Sequence, residues 1–281
     1  MANETVIAQT FNKDLANEYG KICGNYSLWS NLTIFWGCGT NLHRTPYNAR
    51  NHEYYSEDAV LTSGQAVAFI SGGKEYGVII APKHLAFNDT EINRTGVSVF
   101  MTEQQARENE LRGTQASIED AGALGIMTAF NRVGITAANA HTGLLKNILR
   151  GEWGFKGLES QDFIMNPNYA VLKEYALNGG TMTTFTGENT MAAVSEKFAY
   201  WTTENVGQDT ELMGAIKQAM TWQAYALANS NALDGMASST RLVSVRTWYD
   251  NALVAVQVVF AALTVLAAAM YVLNDRKSKK Q

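Results

Sequence analysis

Cysteine is scarce in this sequence, and its histidines lack metal-binding spacing. The two cysteines, Cys23 and Cys38, form neither a CxxC motif nor a disulfide framework, which argues against thiol-based metal and redox sites. We expect both to be buried as small apolar side chains. The four histidines show no HExxH or similar ligand spacing, so the sequence implies no metal and no cofactor.

Runs of basic residues are missing from the part of the chain that is expected to fold. The net charge is -4 at pH 7 and the pI is about 5.6, so no positive field is available to attract phosphate groups. The sequence therefore predicts no nucleic-acid partner. Apolar residues are plentiful, at 46% of the chain, which is enough to bury one core of barrel size.

A long uncharged segment lies near the C-terminus. Residues 252–273 contain no Asp, Glu, Lys or Arg, and a helix of this length can cross the roughly 30 Å hydrocarbon core of a membrane. Trp248, Tyr249 and Tyr271 lie where interfacial aromatic residues are expected. The sequence predicts a transmembrane helix here, with a buried core helix as the alternative.

The two ends of the chain give conflicting signals about orientation. Residues 274–281 contain four basic residues and one acidic residue, and the positive-inside rule places such a tail in the cytoplasm and the preceding domain outside. Residues 1–8 have neither the basic nor the apolar region of an export signal. Either the chain is tail-anchored with its domain in the cytosol, or an export signal precedes it in a longer polypeptide.

Strand-like and helix-like segments alternate along the first two thirds of the chain. Strands are predicted over residues 32–36, 76–81 and 123–130, and helices over residues 63–71, 103–120 and 140–150. This alternation favours an α/β fold with a parallel sheet. A further short strand ends at Asp162, and polar residues at such strand ends usually face the active site of a barrel. Taken alone, Asp162 is equally compatible with a turn residue or a helix cap.

Four linked motifs at these strand ends resemble glycoside hydrolase family 3, the β-glucosidase type. Residues 37–58 are similar to the family block G-x-N-[IL]-x-R-x-P with G-R-N-x-E-x-[FY]-S-E-D, although Ala49 stands where glycine is usual. Residues 82–94 are similar to the block K-H-F-x-x-N-x-x-E-x-x-R. Residues 127–132 and 145–157 resemble the last two motifs before the nucleophile strand, and residues 225–235 resemble the helix that leaves the barrel.

The resemblance implies a role for each matching residue. Asp162 is expected to be the catalytic nucleophile of a retaining glycosidase. Arg50, Lys83 and His84 are expected to bind hydroxyl groups of the innermost sugar, and Met127 and Phe130 to line the pocket. For Arg50 an ion pair with Glu53 is the alternative. Glu57, Asp58 and Arg94 are expected to brace loops.

Several positions depart from the family pattern. Glu159 and Gln161 occupy a strand that is apolar in the family, and unpaired burial of Glu159 would cost several kcal/mol. We therefore expect either that this strand is partly hydrated or that the barrel has drifted. Thr181 stands where the family has an acidic residue, and Phe130 stands where a tyrosine is frequent.

The resemblance also implies parts that the matching region does not cover. These are the first barrel strand, with its sugar-binding aspartate, and an α/β sandwich domain that supplies the acid/base glutamate, expected upstream. The predicted fold is thus α/β, an incomplete (β/α)8 TIM-like barrel lacking its first strand region, followed by one transmembrane helix. The predicted domains are a partial barrel over 1–238, a juxtamembrane linker over 239–251, a transmembrane helix over 252–273 and a basic cytoplasmic tail over 274–281.

The function expected from the resemblance is hydrolysis of terminal β-glycosidic bonds by a membrane-anchored, extracytoplasmic enzyme. The partners expected are a β-linked oligosaccharide or glycoside, the membrane, and the upstream sandwich domain. Without an acid, leaving-group protonation loses a factor of roughly 10² to 10⁴. The alternative is a catalytically degenerate, membrane-anchored sugar-binding remnant.

Overall fold

The computed structural model describes residues 3–94, 96–163, 171–184, 201–233 and 247–278, with side chains described as far as residue 273. The chain divides into two compact units, residues 1–234 and 235–281. The first unit contains both sheets of the structure, and the second contains one long helix. Each unit is described by itself.

Parallel strands form the centre of the first unit. The strands are β1 (Ile34–Gly39), β2 (Ile79–Leu85), β3 (Ser98–Val99), β4 (Gly125–Thr128), β5 (Arg132–Val133), β6 (Thr136–Ala137) and β7 (Leu158–Gln161). The main sheet is parallel throughout, in the order β1-β2-β4-β7. The short strands β3, β5 and β6 form a second, mixed sheet.

Helices connect consecutive strands of the main sheet, as a parallel arrangement requires. The α-helices of the first unit are α1 (Glu4–Ala8), α2 (Lys13–Trp29), α3 (Ala59–Lys74), α4 (Glu103–Gln105), α5 (Arg112–Glu119), α6 (Leu172–Leu177), α7 (Thr203–Gln208) and α8 (Thr210–Ala228). The described part of this unit also contains two π-helical segments, Ala106–Glu110 and Gly143–Glu152, and 3-10 turns at Asn51–Glu53, Ala138–Ala140 and Asn231–Leu233.

Side-chain caps and small residues explain where the largest helices begin and how they pack. The Asp58 carboxylate accepts a hydrogen bond from the Leu61 N–H at the start of α3, which satisfies a donor that the helix itself leaves free. Helices α2 and α3 approach backbone to backbone, because a Cβ at Gly20 would overlap the carbonyl oxygen of Phe69. Glycine is therefore required at that contact.

The core fills the space between the main sheet and its covering helices. On one side Phe69, Ile70 and Ile80 pack in a cluster that also contains Cys23 and Cys38. The expectation that both cysteines are buried small apolar residues is confirmed, since they are 1% and 0% exposed. Another cluster packs strand and helix residues together, among them Ile126, Leu145, Leu149 and Tyr175.

The predicted alternation of strands and helices is confirmed, and the parallel sheet with it. The strand ending at Asp162 was expected from Leu158 and is observed as Leu158–Gln161. An isolated parallel bridge between Ser160 and Met182 continues the pairing beyond β7. Closure of these strands into a barrel stays a prediction, because the described residues form a four-stranded sheet.

The second unit contains the helix α9 (Trp248–Ser278). Its stretch Trp248–Leu273 is long and apolar enough to cross a membrane, and none of its most apolar part is buried. The structure therefore does not match the alternative of a buried core helix, and the membrane span stays a prediction. The helix begins four residues before the predicted span of 252–273. Residues 239–246 of the predicted linker and 279–281 of the predicted tail lie outside the described residues.

Candidate active site

Asp162 lies immediately after β7, at the carboxyl end of the main sheet. Its backbone N–H donates to the carbonyl oxygen of Thr128 in the neighbouring strand (3.3 Å), which fixes the residue to the sheet. The Phe163 N–H donates to Asp162 Oδ1 (2.8 Å). Among the described residues Oδ1 is held by this hydrogen bond, and the neighbour given for Oδ2 is His84.

His84 at the end of β2 faces this second oxygen, with 3.6 Å between His84 Nε2 and Asp162 Oδ2. Burial raises the pKa of Asp162, while the Phe163 N–H and the cations Arg94, Arg50 and Lys83 oppose that increase. A nucleophilic carboxylate must be ionised. The surrounding donors and cations favour this form in a site where burial alone would disfavour it.

His84 is held on several sides. Asn41 accepts from the His84 backbone N–H (2.8 Å) and donates to its carbonyl oxygen (2.9 Å). Arg50 donates to Nε2 at 3.3 Å, and the Tyr54 hydroxyl lies 3.2 Å from Nδ1. Burial, followed by the charges of Arg50, Lys83 and Arg94, lowers the pKa of His84 well below its ordinary value. The imidazole is therefore neutral, and with Nε2 accepting, Nδ1 bears its proton.

Five charged side chains of alternating sign form an ion-pair chain beside Asp162. Lys83 Nζ lies 2.6 Å from Glu53 Oε1, and Glu53 Oε2 lies 2.8 Å from Arg50. Arg50 NH1 lies 3.2 Å from Glu91 Oε1, and Glu91 Oε2 lies 2.9 Å from Arg94 NH1. The ion pair of Arg50 with Glu53, which the sequence offered as an alternative role, is thus observed. Each partly buried charge has an opposite charge next to it, as burial requires.

The ion-pair chain fixes the ionisation of its members. Burial raises the pKa of Glu53, but Arg50 and Lys83 together hold it at about 2. Burial lowers the pKa of Arg50, and the neighbouring Glu53 and Glu91 more than reverse this. Glu53 is therefore an anion throughout the neutral range and cannot donate a proton there.

The two residues expected to line the pocket lie in different surroundings. Phe130 follows β4, and the Arg94 guanidinium lies over its ring at 4.4 Å from the centroid. Met127 is a buried residue of β4 that pairs with Lys83 of β2 and Ser160 of β7. Both therefore lie near predicted site residues along the sheet, and their contact with a sugar stays a prediction.

Sequence reasoning did not assign several residues that support this site. Glu53 was named only as a partner for Arg50, and Glu91, Asn41 and Tyr54 were not named. The spacing of Arg50 with Glu53 and of Glu91 with Arg94, three residues in each case, is a local signal that could have indicated the ion pairs. Asn41 and Tyr54 had no such signal, because their partner His84 is distant in sequence.

Glu159 departs from the family pattern in the structure as well. Strand β7 pairs with β4 in regular register, Ile126 opposite Glu159. The Glu159 side chain is fully buried, and among the described residues its carboxylate oxygens have no hydrogen-bond partner. Burial raises its pKa to about 7, opposed by Tyr175 and Arg150 nearby. Hydration of this strand and drift of the barrel both stay predictions.

Thr181 has a structural role that the sequence comparison did not indicate. Its hydroxyl donates to the Glu159 carbonyl oxygen (2.6 Å) and accepts from the Glu159 N–H (2.7 Å). At the position where the family has an acidic residue, this chain therefore has a hydroxyl that ties the 181–184 segment to β7.

A cavity of about 430 Å³ lies apart from these residues. Its lining includes Phe100, Leu111, His141, Leu144 and Glu152, and none of the six predicted site residues. The candidate site is therefore identified by its charged and hydrogen-bonding groups and not by cavity size.

Curated proteins similar to this chain are β-glucosidases. The chain is 36% identical over 159 residues to β-glucosidase BoGH3A from Bacteroides ovatus, which covers 57% of this chain and 21% of that protein. It is 35% identical over 159 residues to a probable β-glucosidase J from Emericella nidulans, covering 57% of this chain and 19% of that protein. The chain thus spans about a fifth of the length of these relatives.

Solved structures of β-glucosidases share its fold. β-Glucosidase 3B from Thermotoga neapolitana, in complex with glucose, superposes with a TM-score of 0.74 at 26% identity, covering 83% of this chain and 32% of that one. DesR, a β-glucosidase from Streptomyces venezuelae in complex with D-glucose, superposes with a TM-score of 0.73 at 25% identity, covering 86% and 31%.

A family model for the glycosyl hydrolase family 3 N-terminal domain matches residues 2–187. This range contains all four sequence motifs and every residue of the candidate site. The chain belongs to glycosyl hydrolase family 3.

Proposed function

We propose that this chain acts in the hydrolysis of terminal β-glycosidic bonds, with Asp162 as the nucleophile of a retaining mechanism. The observation that supports this most directly is the Asp162 carboxylate, which follows a strand of the parallel sheet with Oδ1 held by the Phe163 N–H and Oδ2 facing His84. A β-glucoside is the substrate class that the names of its relatives suggest.

In the proposed reaction Asp162 Oδ2 attacks the anomeric carbon and forms a glycosyl ester as the bond to the leaving-group oxygen breaks. That oxygen takes a proton from an acid, and a water molecule deprotonated by the same group later hydrolyses the ester. Cations of the ion-pair chain keep Asp162 ionised before attack. Positive charge develops on the sugar in the transition state, and the nearby carboxylate stabilises it.

Lys83, Arg50 and His84 are proposed to bind sugar hydroxyl groups beside Asp162. Sugar hydroxyls both donate and accept hydrogen bonds, and charged donors form the stronger ones, at roughly 1.5–3 kcal/mol each. Lys83 and Arg50 are 17% and 18% exposed, so their cationic groups remain partly accessible to a ligand.

A proton donor has to come from elsewhere than the ion-pair chain. Glu53 is an anion held at a pKa of about 2, and Glu91 is shared by Arg50 and Arg94. We therefore propose that a separate α/β sandwich domain supplies the acid/base carboxyl. The small share of the relatives' length that this chain spans supports this proposal.

Membrane attachment through residues 252–273 is part of the same proposal. The apolar length of α9 supports it. The basic composition of residues 274–281 supports a cytoplasmic tail and an extracytoplasmic catalytic domain.

A second candidate is sugar binding without hydrolysis. The burial of Glu159 favours it, because a carboxyl group buried in the sheet lowers stability in the same strand that positions Asp162. Hydrolysis of an aryl β-glucoside by the protein would contradict this candidate.

Covalent labelling tests the proposed function. A 2,4-dinitrophenyl 2-deoxy-2-fluoro-β-glucoside has a leaving group that departs without protonation, so the assay does not depend on the acid. We expect mass spectrometry to find the label on Asp162, and Asp162→Asn to abolish it. The exposed Asp120→Asn variant is the matched control and should label normally. Label on another residue, or none with a folded protein, would overturn the assignment.

A further inference from the structure

We infer that Glu53 is a positioning residue that directs the amino group of Lys83 and the guanidinium group of Arg50 together toward the sugar. This inference rests on the proposed function of the site. One carboxylate would then orient two cationic groups that are both expected to contact the substrate. These two groups lie in different segments of the chain.

The geometry of Glu53 distinguishes it from the other carboxylates nearby. Its Oε1 lies 2.6 Å from Lys83 Nζ, and its Oε2 lies 2.8 Å from both Nε and NH2 of Arg50. Each oxygen thus holds one cation, and the two oxygens are rigidly connected. Among the described ion pairs Glu91 reaches Arg50 and Arg94 but not Lys83.

Counting donors shows what the arrangement leaves for a ligand. Arg50 has five N–H groups and Lys83 has three. Glu53 Oε2 accepts from Arg50 Nε and lies 2.8 Å from NH2, while Glu91 and His84 each accept one N–H of Arg50. Glu53 Oε1 lies 2.6 Å from Lys83 Nζ. Among the described residues, these partners take fewer N–H groups than Arg50 and Lys83 together possess. The directions of the other N–H groups are set by the bonds to Glu53, which is how an orienting carboxylate prepares a binding site.

Glu4 is a further carboxyl group close to Lys83, and its ionisation differs from that of Glu53. Glu4 Oε2 accepts from the Gly39 N–H at 2.8 Å. Burial raises the pKa of Glu4 well above its ordinary value, whereas Glu53 is ionised. The counter-ion of Lys83 is therefore Glu53, and Glu4 is bound to the backbone.

The inference is tested by titrating the full chain in detergent with glucose and measuring the binding affinity by calorimetry. Glu53→Gln keeps the shape but removes the charge, and we expect affinity to fall about tenfold to a hundredfold, the range that loss of an orienting partner typically costs. Glu53→Asp keeps the charge on a shorter side chain and should recover part of the affinity. Glu119→Gln, at the exposed end of α5, is the control and should bind as the native chain does.

A double-variant cycle separates positioning from a purely structural role. If Glu53 acts through Lys83, Glu53→Gln costs clearly less affinity in a Lys83→Ala background than in the native chain. An equal cost in both backgrounds, or native affinity in Glu53→Gln, overturns the inference while leaving the proposed function intact. A native chain that binds neither glucose nor a β-glucoside overturns the proposed function, and this inference with it.

Discussion

His84 Nε2 lies 3.6 Å from Asp162 Oδ2, although His84 lies at the end of β2 and Asp162 follows β7, and these strands are separated in the sheet by β4. This distance is longer than a hydrogen bond, and Nε2 already accepts from Arg50. The imidazole therefore sits beside the carboxylate without neutralising it. The two groups are close enough to contact one ligand together, as the proposed binding site requires.

The pH dependence of labelling should reveal the raised pKa of Asp162. Because burial raises this pKa above its ordinary 3.8, the fraction of attacking carboxylate falls at a higher pH than for an exposed aspartate. We expect the labelling rate by the fluoroglucoside to decrease on acidification with an apparent pKa above 3.8. A rate that stays constant down to pH 3.8 would contradict the buried setting of Asp162.

His84 should make the protein less stable in acid. Its pKa in the folded chain lies well below the ordinary 6.5, so the unfolded chain takes up the proton first. The stability that neutral His84 provides is fully present above pH 6.5 and is lost at about 1.4 kcal/mol per pH unit below it. Between pH 7 and pH 5 we expect His84→Gln to lose less unfolding free energy than the native chain loses. Urea denaturation at the two pH values measures this difference.

The exposed His52 offers a matched control for that measurement. His52→Gln should leave the pH dependence of the native chain in place. Identical slopes for the native chain and His84→Gln would show that His84 is not buried as a neutral group.

Glu159 should destabilise the folded chain as the pH rises. Its pKa is raised from 4.5 to about 7 by burial, so folding favours its protonated form. The stability that protonated Glu159 contributes is fully present below pH 4.5 and is lost as the pH rises through 7. The total change in unfolding free energy is about 3 kcal/mol. We therefore compare the unfolding free energy of Glu159→Gln with that of the native chain at two pH values. The difference, variant minus native, should be roughly 2 kcal/mol larger at pH 8 than at pH 5.

Denaturant titrations at the two pH values measure this effect of Glu159. Since only the difference between the two pH values is compared, the packing cost of the glutamine itself cancels. Parallel pH profiles for the native chain and Glu159→Gln would mean that the carboxylate has a counter-ion or water in solution.

Ala49→Gly should stabilise the chain. Ala49 has φ of 70°, and the left-handed region costs a residue with a Cβ roughly 1–2 kcal/mol. Glycine removes this cost but loses more backbone entropy on folding, so we expect a net gain of about 0.5–1 kcal/mol in thermal or urea unfolding. A lower stability of Ala49→Gly would show that the backbone at residue 49 relaxes out of this region.

The same position shows how a sequence pattern and a conformation agree. The sequence motif has glycine at this position in the family, and the positive φ at Ala49 gives the physical reason. Local features of this kind could be predicted from the sequence, as could the strands and helices around β2, β4 and β7. The helix α3 was expected over 63–71, whereas the Asp58 cap extends it back to Ala59.

The site was only partly predictable. Asp162, Lys83 and His84 were predicted because each follows a predicted strand in a recognisable motif, and the observed β2 extends through Lys83 and His84. The connection of Lys83 to Arg50 through Glu53 could not be predicted, since Lys83 and Glu53 are 30 residues apart and meet only after β1 and β2 pair. Nor could the environment of Glu159, whose pKa depends on how completely the surrounding helices exclude water.

The sequence by itself determined the family, the alternation of strands and helices, the apolar segment near the C-terminus and the place of Asp162 at the end of a strand. These depend on local residue type and spacing, which a linear pattern contains. The tertiary structure alone decided that burial and nearby cations lower the pKa of His84, that Arg50 and Lys83 keep Glu53 ionised and that the Asp162 carboxylate faces His84. The charge and hydrogen bonding of these groups depend on burial and on partners brought together across the sheet. Neither burial nor these partners can be predicted from the spacing of residues along the chain.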